Sequence, residues 1–306
     1  GEDTWYTSID AVSPEKVFLT AWNKYLQSTT DGGKTWKSEQ IGKLSYLKKI
    51  QFIDANNGFL IGSKELGENE FEPVLQLWDT TDGGTTWNER NLSLTMDPAD
   101  FSFFSTIIGV ATVKTPDGSD NDDIYRTADG GLTWDWVLSV PNISISGISL
   151  ADAKTGYAVG EMAVNPMDKT SRKIVVLKSD DAGITWLPTD LPVSSISNEG
   201  KESHFIYFLN NKTGWIIKSN PYTDASRSEL LRTDDGGKTW KKTWSGDETG
   251  VSRIGFFDEN TGVVLPGLWF LTPKIYRTAD GGNNFTQLAN GLESNFTPLS
   301  FPDVKT

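Results

Sequence analysis

The sequence predicts an all-β fold of repeated four-stranded antiparallel sheets, on three observations. An acidic segment, TTDGGKTW at 29–36, recurs to give six copies whose aspartates lie 45–54 residues apart. A strand–turn–strand pattern precedes each copy, and the repeat length matches one blade of a β-propeller. We therefore expect residues 1–306 to form a single propeller domain of six blades, with seven as the alternative. Residues 6–12 and 297–303 both resemble a first strand, so we expect a terminal strand displaced or added at the ring closure.

The first two strands of each unit are predicted to form a hairpin. IQFIDANNGFLIG at 50–62 alternates apolar residues at Ile50 and Phe52, which is typical of a strand with one buried face. Similar segments begin at residues 101, 148, 206 and 254, and a weaker version occupies residues 11–21. A glycine follows the turn in the five clear copies, and we expect a positive φ there. These glycines are Gly58, Gly109, Gly156, Gly214 and Gly262.

The acidic segment, called the box below, suits the turn between the third and fourth strands. Its aspartate can accept hydrogen bonds from backbone N–H groups two or three residues later. Its Gly-Gly pair adopts conformations that other residues avoid, and its tryptophan can bury a large ring between neighbouring sheets. The box aspartates are Asp31, Asp82, Asp129, Asp181, Asp235 and Asp280. The box tryptophans are Trp36, Trp87, Trp134, Trp186 and Trp240.

The six box carboxylates could instead form binding sites for a cation. Calcium needs six to eight oxygens that converge within about 2.6 Å, whereas one carboxylate per blade spreads the charges around a ring. We therefore predict that the boxes are structural, and we expect neither a metal site nor a cofactor.

Composition narrows the possible functions. The net charge is −13, with 41 acidic against 28 basic residues, so the chain repels phosphate backbones and nucleic-acid binding is not expected. Cysteine is absent, and His204 is the sole histidine, which leaves one candidate for a catalytic imidazole. No apolar run approaches the roughly 20 residues that span a bilayer. The segment from Gly1 does not read as a signal peptide, so we expect a mature or trimmed chain.

The box closely resembles the Asp-box, S/T-x-D-x-G-x-T-W, also called the BNR repeat. Its combination with the hairpin pattern I-x-F-x-D-x-x-x-G-aromatic is similar to the photosystem II stability/assembly factor-like family. This resemblance implies a non-catalytic scaffold outside the cytoplasm, whether periplasmic, secreted or surface-anchored, that binds a protein or carbohydrate partner. We expect a monomer. The photosynthetic members carry a basic arginine patch that this acidic chain does not clearly match, so the partner is not identified.

Candidate ligand-binding residues fall on the loops opposite the boxes, where loops on rigid scaffolds carry function. Trp269 could stack on a sugar ring or a partner side chain, or simply fold over the end of its blade. Tyr222, Asp224 and Arg227 form a polar group suited to ligand contact or to solvation. Arg253 lies out of phase with its apolar neighbours on a predicted inner strand, so we expect it to face a neighbouring blade or the central channel.

We expect a binding scaffold without catalytic residues. Two enzyme classes that also contain Asp-boxes are the alternatives. Xyloglucanases use two aspartates across a cleft, and glycosidic chemistry needs two carboxylates roughly 5–10 Å apart. The known members join two propellers, and this chain has the length for one. Sialidases rely on three arginines and an F/Y-R-I-P motif. No R-I-P occurs here, and Arg126, Arg232 and Arg277 precede box aspartates on the predicted third strand, which indicates surface or inter-blade positions.

Overall fold

The structure, a computed structural model, is a six-bladed β-propeller, as predicted. It describes residues 6–13, 15–21, 23–31, 35–64, 75–90, 98–114, 121–165, 168–189, 196–197, 203–219, 228–246, 251–266 and 275–289. Within these ranges every regular element is a strand, and the strands form six antiparallel sheets. No helix in the described ranges is long and apolar enough to cross a bilayer.

Each blade contains four consecutive strands, and blade 4 has one more. Blade 1 comprises β1 (Tyr6–Ala11), β2 (Val17–Ala21), β3 (Tyr25–Thr29) and β4 (Lys37–Gln40), and blade 2 comprises β5 (Leu44–Phe52), β6 (Gly58–Lys64), β7 (Leu75–Thr80) and β8 (Asn88–Arg90). Blade 3 comprises β9 (Pro98–Phe103), β10 (Gly109–Val113), β11 (Asp122–Thr127) and β12 (Asp135–Val140). Blade 4 comprises β13 (Ile143–Leu150), β14 (Gly156–Asn165), β15 (Asp168–Ser179), β16 (Leu187–Thr189) and β17 (Ile196–Ser197). Blade 5 comprises β18 (Ser203–Phe208), β19 (Gly214–Ser219), β20 (Ser228–Thr233) and β21 (Lys241–Gly246). Blade 6 comprises β22 (Val251–Phe256), β23 (Gly262–Pro266), β24 (Ile275–Thr278) and β25 (Thr286–Ala289).

The first strand of each blade is the inner one. The inner strands of successive blades contact each other, and β22 of blade 6 contacts β1 of blade 1, which closes the ring. Blade 1 consists of β1–β4 in chain order, so its described sheet contains no strand from the C-terminal end of the chain. Residues 297–303, the other predicted first strand, lie outside the described residues.

The hydrophobic core lies between the blades. An aromatic residue on the second strand of one blade stacks on the phenylalanine that ends the first strand of the next. The ring centroids of Tyr157 and Phe208 are 3.7 Å apart, and those of Trp215 and Phe256 are 3.6 Å apart. The ring planes are within 6° of parallel, so each pair buries a large aromatic area at the seam between two blades.

The prediction of a positive φ at the five turn glycines is wrong. Each begins the second strand of its blade, and none is among the described residues with positive φ. Glycine is needed there because the side chain that ends the first strand lies over it, a phenylalanine in four blades and Leu150 in blade 4. A Cβ at Gly214 would lie 2.6 Å from Cδ1 of Phe208, and one at Gly109 would lie 2.6 Å from Cε1 of Phe103. Most of the positive-φ glycines are in the boxes, as at Gly83 and Gly84.

Candidate functional site

The box carboxylates are saturated by hydrogen bonds from their own boxes. In the third box, Asp129 accepts bonds from Thr127 Oγ1 at 2.8 Å, from the Thr133 backbone N–H at 2.9 Å and from Thr133 Oγ1 at 2.6 Å. The same three bonds form around Asp31, Asp82, Asp181 and Asp235. In the sixth box, Asn284 replaces the second threonine and donates to Asp280 from its backbone N–H and its Nδ2.

These bonds stabilise the ionised carboxylates. The hydroxyl of Thr86 is the largest cause that lowers the pKa of Asp82 to about 2, and the hydroxyl of Thr133 does the same for Asp129, also to about 2. The hydroxyl of Thr239 lowers the pKa of Asp235. A carboxylate that already accepts three or more hydrogen bonds has less capacity left for a cation or a sugar.

The boxes share one face of the propeller with the turns between the first and second strands. In blade 2 the Gly83 N–H donates to the Asn56 carbonyl at 2.8 Å, and in blade 5 the Gly236 N–H donates to the Lys212 carbonyl at 2.9 Å. Blades 3, 4 and 6 repeat this bond. The opposite ends of the strands, where the connections from second to third strands and from one blade to the next begin, therefore define the opposite face, called the loop face below.

Each of three boxes also accepts a bond from the preceding blade. The Tyr157 hydroxyl donates to the Gly236 carbonyl at 2.9 Å, and the Trp215 indole N–H donates to the Gly281 carbonyl at 3.0 Å. Blade 3 has Val110 where Tyr157 and Trp215 stand, and Arg126 of the same blade supplies the donor instead, from Nε to the Ala182 carbonyl at 2.8 Å. The predicted inter-blade position of this arginine is thus the observed one.

A row of side chains near the axis joins the inner strands. The penultimate residue of one inner strand bonds to the backbone of the last residue of the next. Ser149 accepts from the Phe208 N–H at 3.2 Å, and Tyr207 donates to the Phe256 carbonyl at 2.9 Å. Asp10, Gln51 and Ser102 make the corresponding bonds in blades 1 to 3. Gly255 occupies this position in blade 6, and a Cβ there would meet nothing within 4 Å.

Arg253 lies on the inner strand β22, two residues before Gly255. Its guanidinium carbon is 5.1 Å from the centroid of the Phe205 ring. Burial lowers the pKa of Arg253, and the negative charge of Asp100 opposes this shift. Because blade 3 and blade 6 face each other across the ring, the Asp100 charge acts on Arg253 across the channel. Asp100 also accepts from Lys49 Nζ and, at 3.0 Å, from the Ile148 N–H.

A buried charged cluster lies in the seam between blades 4 and 5. Arg172 Nε is 3.2 Å from Glu161 Oε2, and His204 Nδ1 is 3.8 Å from Glu161 Oε1. All three residues are buried. The chain's sole histidine therefore contacts a carboxylate that is already in an ion pair, an arrangement suited to holding the seam.

The structure describes only part of the predicted ligand group. Arg253 is on the inner strand β22, whereas Trp269, Tyr222, Asp224 and Arg227 lie outside the described residues. Sequence reasoning missed the roles of Tyr157 and Trp215, although an aromatic residue follows three of the five turn glycines and was a signal for them. It also missed the pairing of Glu161 with Arg172, for which the sequence has no local signal. The described residues contain no group of three or more side chains placed to hold a metal ion.

Comparisons with known proteins find two kinds of relatives. No family model matches the chain. A xyloglucanase of Paenibacillus sp is 23% identical over 281 residues, which cover 78% of this chain and 26% of that protein. The chain thus spans about a quarter of that enzyme's length. The chloroplastic photosystem II stability/assembly factor HCF136 of Arabidopsis thaliana is 24% identical over 304 residues, covering 82% of this chain and 71% of that one.

Solved structures agree on the fold. The structure of YCF48 bound to D1 peptide superimposes with a TM-score of 0.54 and 16% identity, over 93% of this chain and 82% of that one. At this identity the likeness shows the fold alone.

Proposed function

We propose that this chain is a non-catalytic binding scaffold that works outside the cytoplasm and holds a protein or glycan partner on the loop face. The observation that carries the proposal is the saturation of the boxes. All six box carboxylates are used within their own boxes. We infer that the boxes are Asp-box repeats with an architectural role, and that recognition is left to the loop face and the channel that opens on it.

The channel supplies the one described residue of the predicted ligand group. Arg253 is a partly buried cation over an aromatic ring, and its Coulombic partner Asp100 is shared with Lys49. Guanidinium groups bind carboxylates through charge-assisted, often bidentate bonds. We infer that Arg253 receives a carboxylate of the partner, with Trp269, Tyr222, Asp224 and Arg227 as further contacts from the loops.

The comparisons support this proposal over an enzyme. A photosystem II assembly factor aligns with most of this chain and over most of its own length. A propeller of the same fold has been solved with a bound peptide. We infer from these relatives that the partner is a protein segment, that residues 1–306 form one monomeric propeller domain, and that its compartment is periplasmic, secreted or surface-anchored.

A glycoside hydrolase of the xyloglucanase type is the second candidate, because a xyloglucanase matches 78% of the chain. Its general acid would need a raised pKa. Among the described residues, the carboxyl groups whose pKa departs from its ordinary value are all lowered, namely Asp54, Asp82, Asp129, Asp152, Asp181, Asp235 and Asp280. These seven aspartates lie in the boxes and in the turns between first and second strands, on the face opposite the loop face.

The test pairs a binding assay with a turnover assay. Peptides selected from a random library against the intact chain should bind, and Arg253→Gln should weaken binding by roughly tenfold or more. Arg253→Lys keeps the positive charge and is the control for correct folding around this position. Lys241→Gln removes an exposed charge from the outer strand of blade 5 and should leave binding unchanged.

The outcomes separate the two candidates. Release of reducing ends from xyloglucan or arabinan by the intact chain would establish the hydrolase. Peptide binding that Arg253→Gln and Lys241→Gln weaken equally would remove the channel from the proposed site.

A further inference from the structure

Blade 3 carries an exposed tryptophan that the repeat does not explain. Trp136 lies on the outermost strand β12, directly opposite Tyr125 of β11, and is 57% exposed. The residues at the same register position in the other blades are Ser38, Glu89, Pro188, Lys242 and Gln287. Five of the six blades thus form their outer strand without an aromatic residue here, so the fold itself does not require Trp136.

Polar groups surround this aromatic pair on the same side of the sheet. Asp123 pairs with Ser139 in the register, and its carboxylate accepts bonds from the Ser139 hydroxyl and, at 3.4 Å, from the Trp136 indole N–H. Burial raises the pKa of Tyr125, and the charge of Asp123 raises it further, which places the phenol near that carboxylate.

The surface is open because the neighbouring blade is short. The inner half of this side of blade 3, with Phe101 and Phe103, packs against Phe59 and Leu77 of blade 2. Blade 2 ends in a three-residue outer strand, β8, which is half the length of β12. On the outer half of the face, Trp136 is exposed and Tyr125 is partly buried.

We propose that Trp136, Tyr125 and Asp123 form a binding site for a neutral carbohydrate on the outer rim of blade 3. A flat, exposed indole matches the C–H face of a sugar ring, and Tyr125 extends the aromatic surface across the strand pair. The indole N–H points to Asp123, so the polar edge of the site mainly accepts hydrogen bonds. Sugar hydroxyls donate such bonds.

The same chemistry argues against two other occupants. Proline-rich peptides also bind aromatic surfaces, but their backbone carbonyls need donors, and the Trp136 N–H is directed at Asp123. Anionic sugars would meet Asp123 and a chain of net charge −13. A neutral polysaccharide fits both the aromatic surface and the carboxylate.

Affinity gel electrophoresis of the intact chain tests the proposal. The native gels would contain a soluble β-1,4-glucan, a xylan, an arabinan or, as the anionic comparison, a polygalacturonate. We expect at least one neutral polysaccharide to retard the chain and polygalacturonate to leave its mobility unchanged. Trp136→Ala should raise the dissociation constant roughly tenfold, and Trp136→Phe should lose less. Leu187→Ala is the matched control, since Leu187 is 70% exposed on the outer strand of blade 4.

Each alternative outcome overturns the proposal. Retardation by none of the three neutral polysaccharides would do so, and so would equal retardation of Trp136→Ala and the wild type. Binding of a labelled proline-rich peptide that depends on Trp136 would assign the surface to a peptide. The rim site and the loop-face site are separable, because Trp136→Ala should leave the affinity for loop-face peptides unchanged.

Discussion

Ala182 occupies a backbone position that favours glycine, and replacing it should stabilise the protein. The fourth box reads SDDAGITW, and Ala182 has a φ of 61°, whereas Gly236 holds the same position in the fifth box at 72°. An L-residue in the left-handed region costs about 1–2 kcal/mol, and Ala182→Gly removes this cost. The greater conformational entropy of glycine in the unfolded chain cancels about 0.4–1 kcal/mol of the gain. Ala182→Gly should therefore raise the free energy of unfolding by about 1 kcal/mol.

The reverse change in the next blade should cost more. A Cβ at Gly236 would lie 2.7 Å from the Asn211 carbonyl oxygen and 3.3 Å from the Tyr157 hydroxyl. The box would have to shift to relieve these contacts, in addition to the conformational cost. The shift would weaken two hydrogen bonds, from the Gly236 N–H to the Lys212 carbonyl and from the Tyr157 hydroxyl to the Gly236 carbonyl. Weakening these bonds adds about 1 kcal/mol. Gly236→Ala should lower the free energy of unfolding by about 2–3 kcal/mol.

Equilibrium unfolding in urea, followed by circular dichroism, measures both changes. We expect the midpoint to rise for Ala182→Gly and to fall for Gly236→Ala with an unchanged m-value. The melting temperature should move by about 1.5 °C per kcal/mol, since the unfolding entropy grows with chain length. If Ala182→Gly lowered the midpoint, or if Gly236→Ala left it unchanged, the backbone conformation of the boxes would not be what limits their residue choice.

Three further predictions concern the boxes and the seams. The folded-state pKa values of Asp82 and Asp129 are about 2, below the ordinary value of 3.8, so their contribution to stability is present above pH 3.8 and is lost as the pH falls towards 2. The melting temperature should fall below about pH 4, and an Asp82→Asn/Asp129→Asn variant with an equally steep fall would contradict this cause. Tyr157→Phe leaves the Gly236 carbonyl without its donor and should cost about 1–2 kcal/mol in urea unfolding, whereas Tyr25→Phe, which changes an exposed tyrosine, should cost nothing measurable. Glu161→Met leaves the buried Arg172 charge without its carboxylate and should lower the free energy of unfolding by about 3–5 kcal/mol. The double variant Glu161→Met/Arg172→Met should recover most of this stability. Equal losses in the single and double variants would show that the ion pair does not stabilise the seam.

The positions of the strands could be predicted because the chain repeats them. Alternation at residues such as Ile50 and Phe52 identifies first strands, and the spacing of the boxes predicts the six blades. The turn glycines were identified correctly but for the wrong reason, since a ring from the same blade, Phe208 in the case of Gly214, excludes a side chain there. The position of a ring over the backbone depends on how the hairpin folds. The alternation of apolar residues along the sequence does not show it.

The candidate site was less predictable because its residues depart from the repeat. Arg253 was identified as a residue out of phase on an inner strand, and in the structure it lies on the inner strand β22 over the Phe205 ring of the neighbouring blade. Trp136 was missed, although alignment of the outer strands shows it as the one aromatic residue in its column. Its exposure depends on the short β8 of blade 2, which is a property of the neighbouring blade.

The amino-acid order alone determined the hairpins, the closed boxes and the number of blades, because hydrogen bonds within a few residues and period-two burial depend on local sequence. Tertiary structure decided how the blades are joined. Tyr157 bonds Gly236 across a seam, Arg126 supplies the donor where Val110 cannot, and Asp100 acts on Arg253 across the channel. These contacts join residues far apart in the chain, so only closure of the ring brings them within bonding or Coulombic reach.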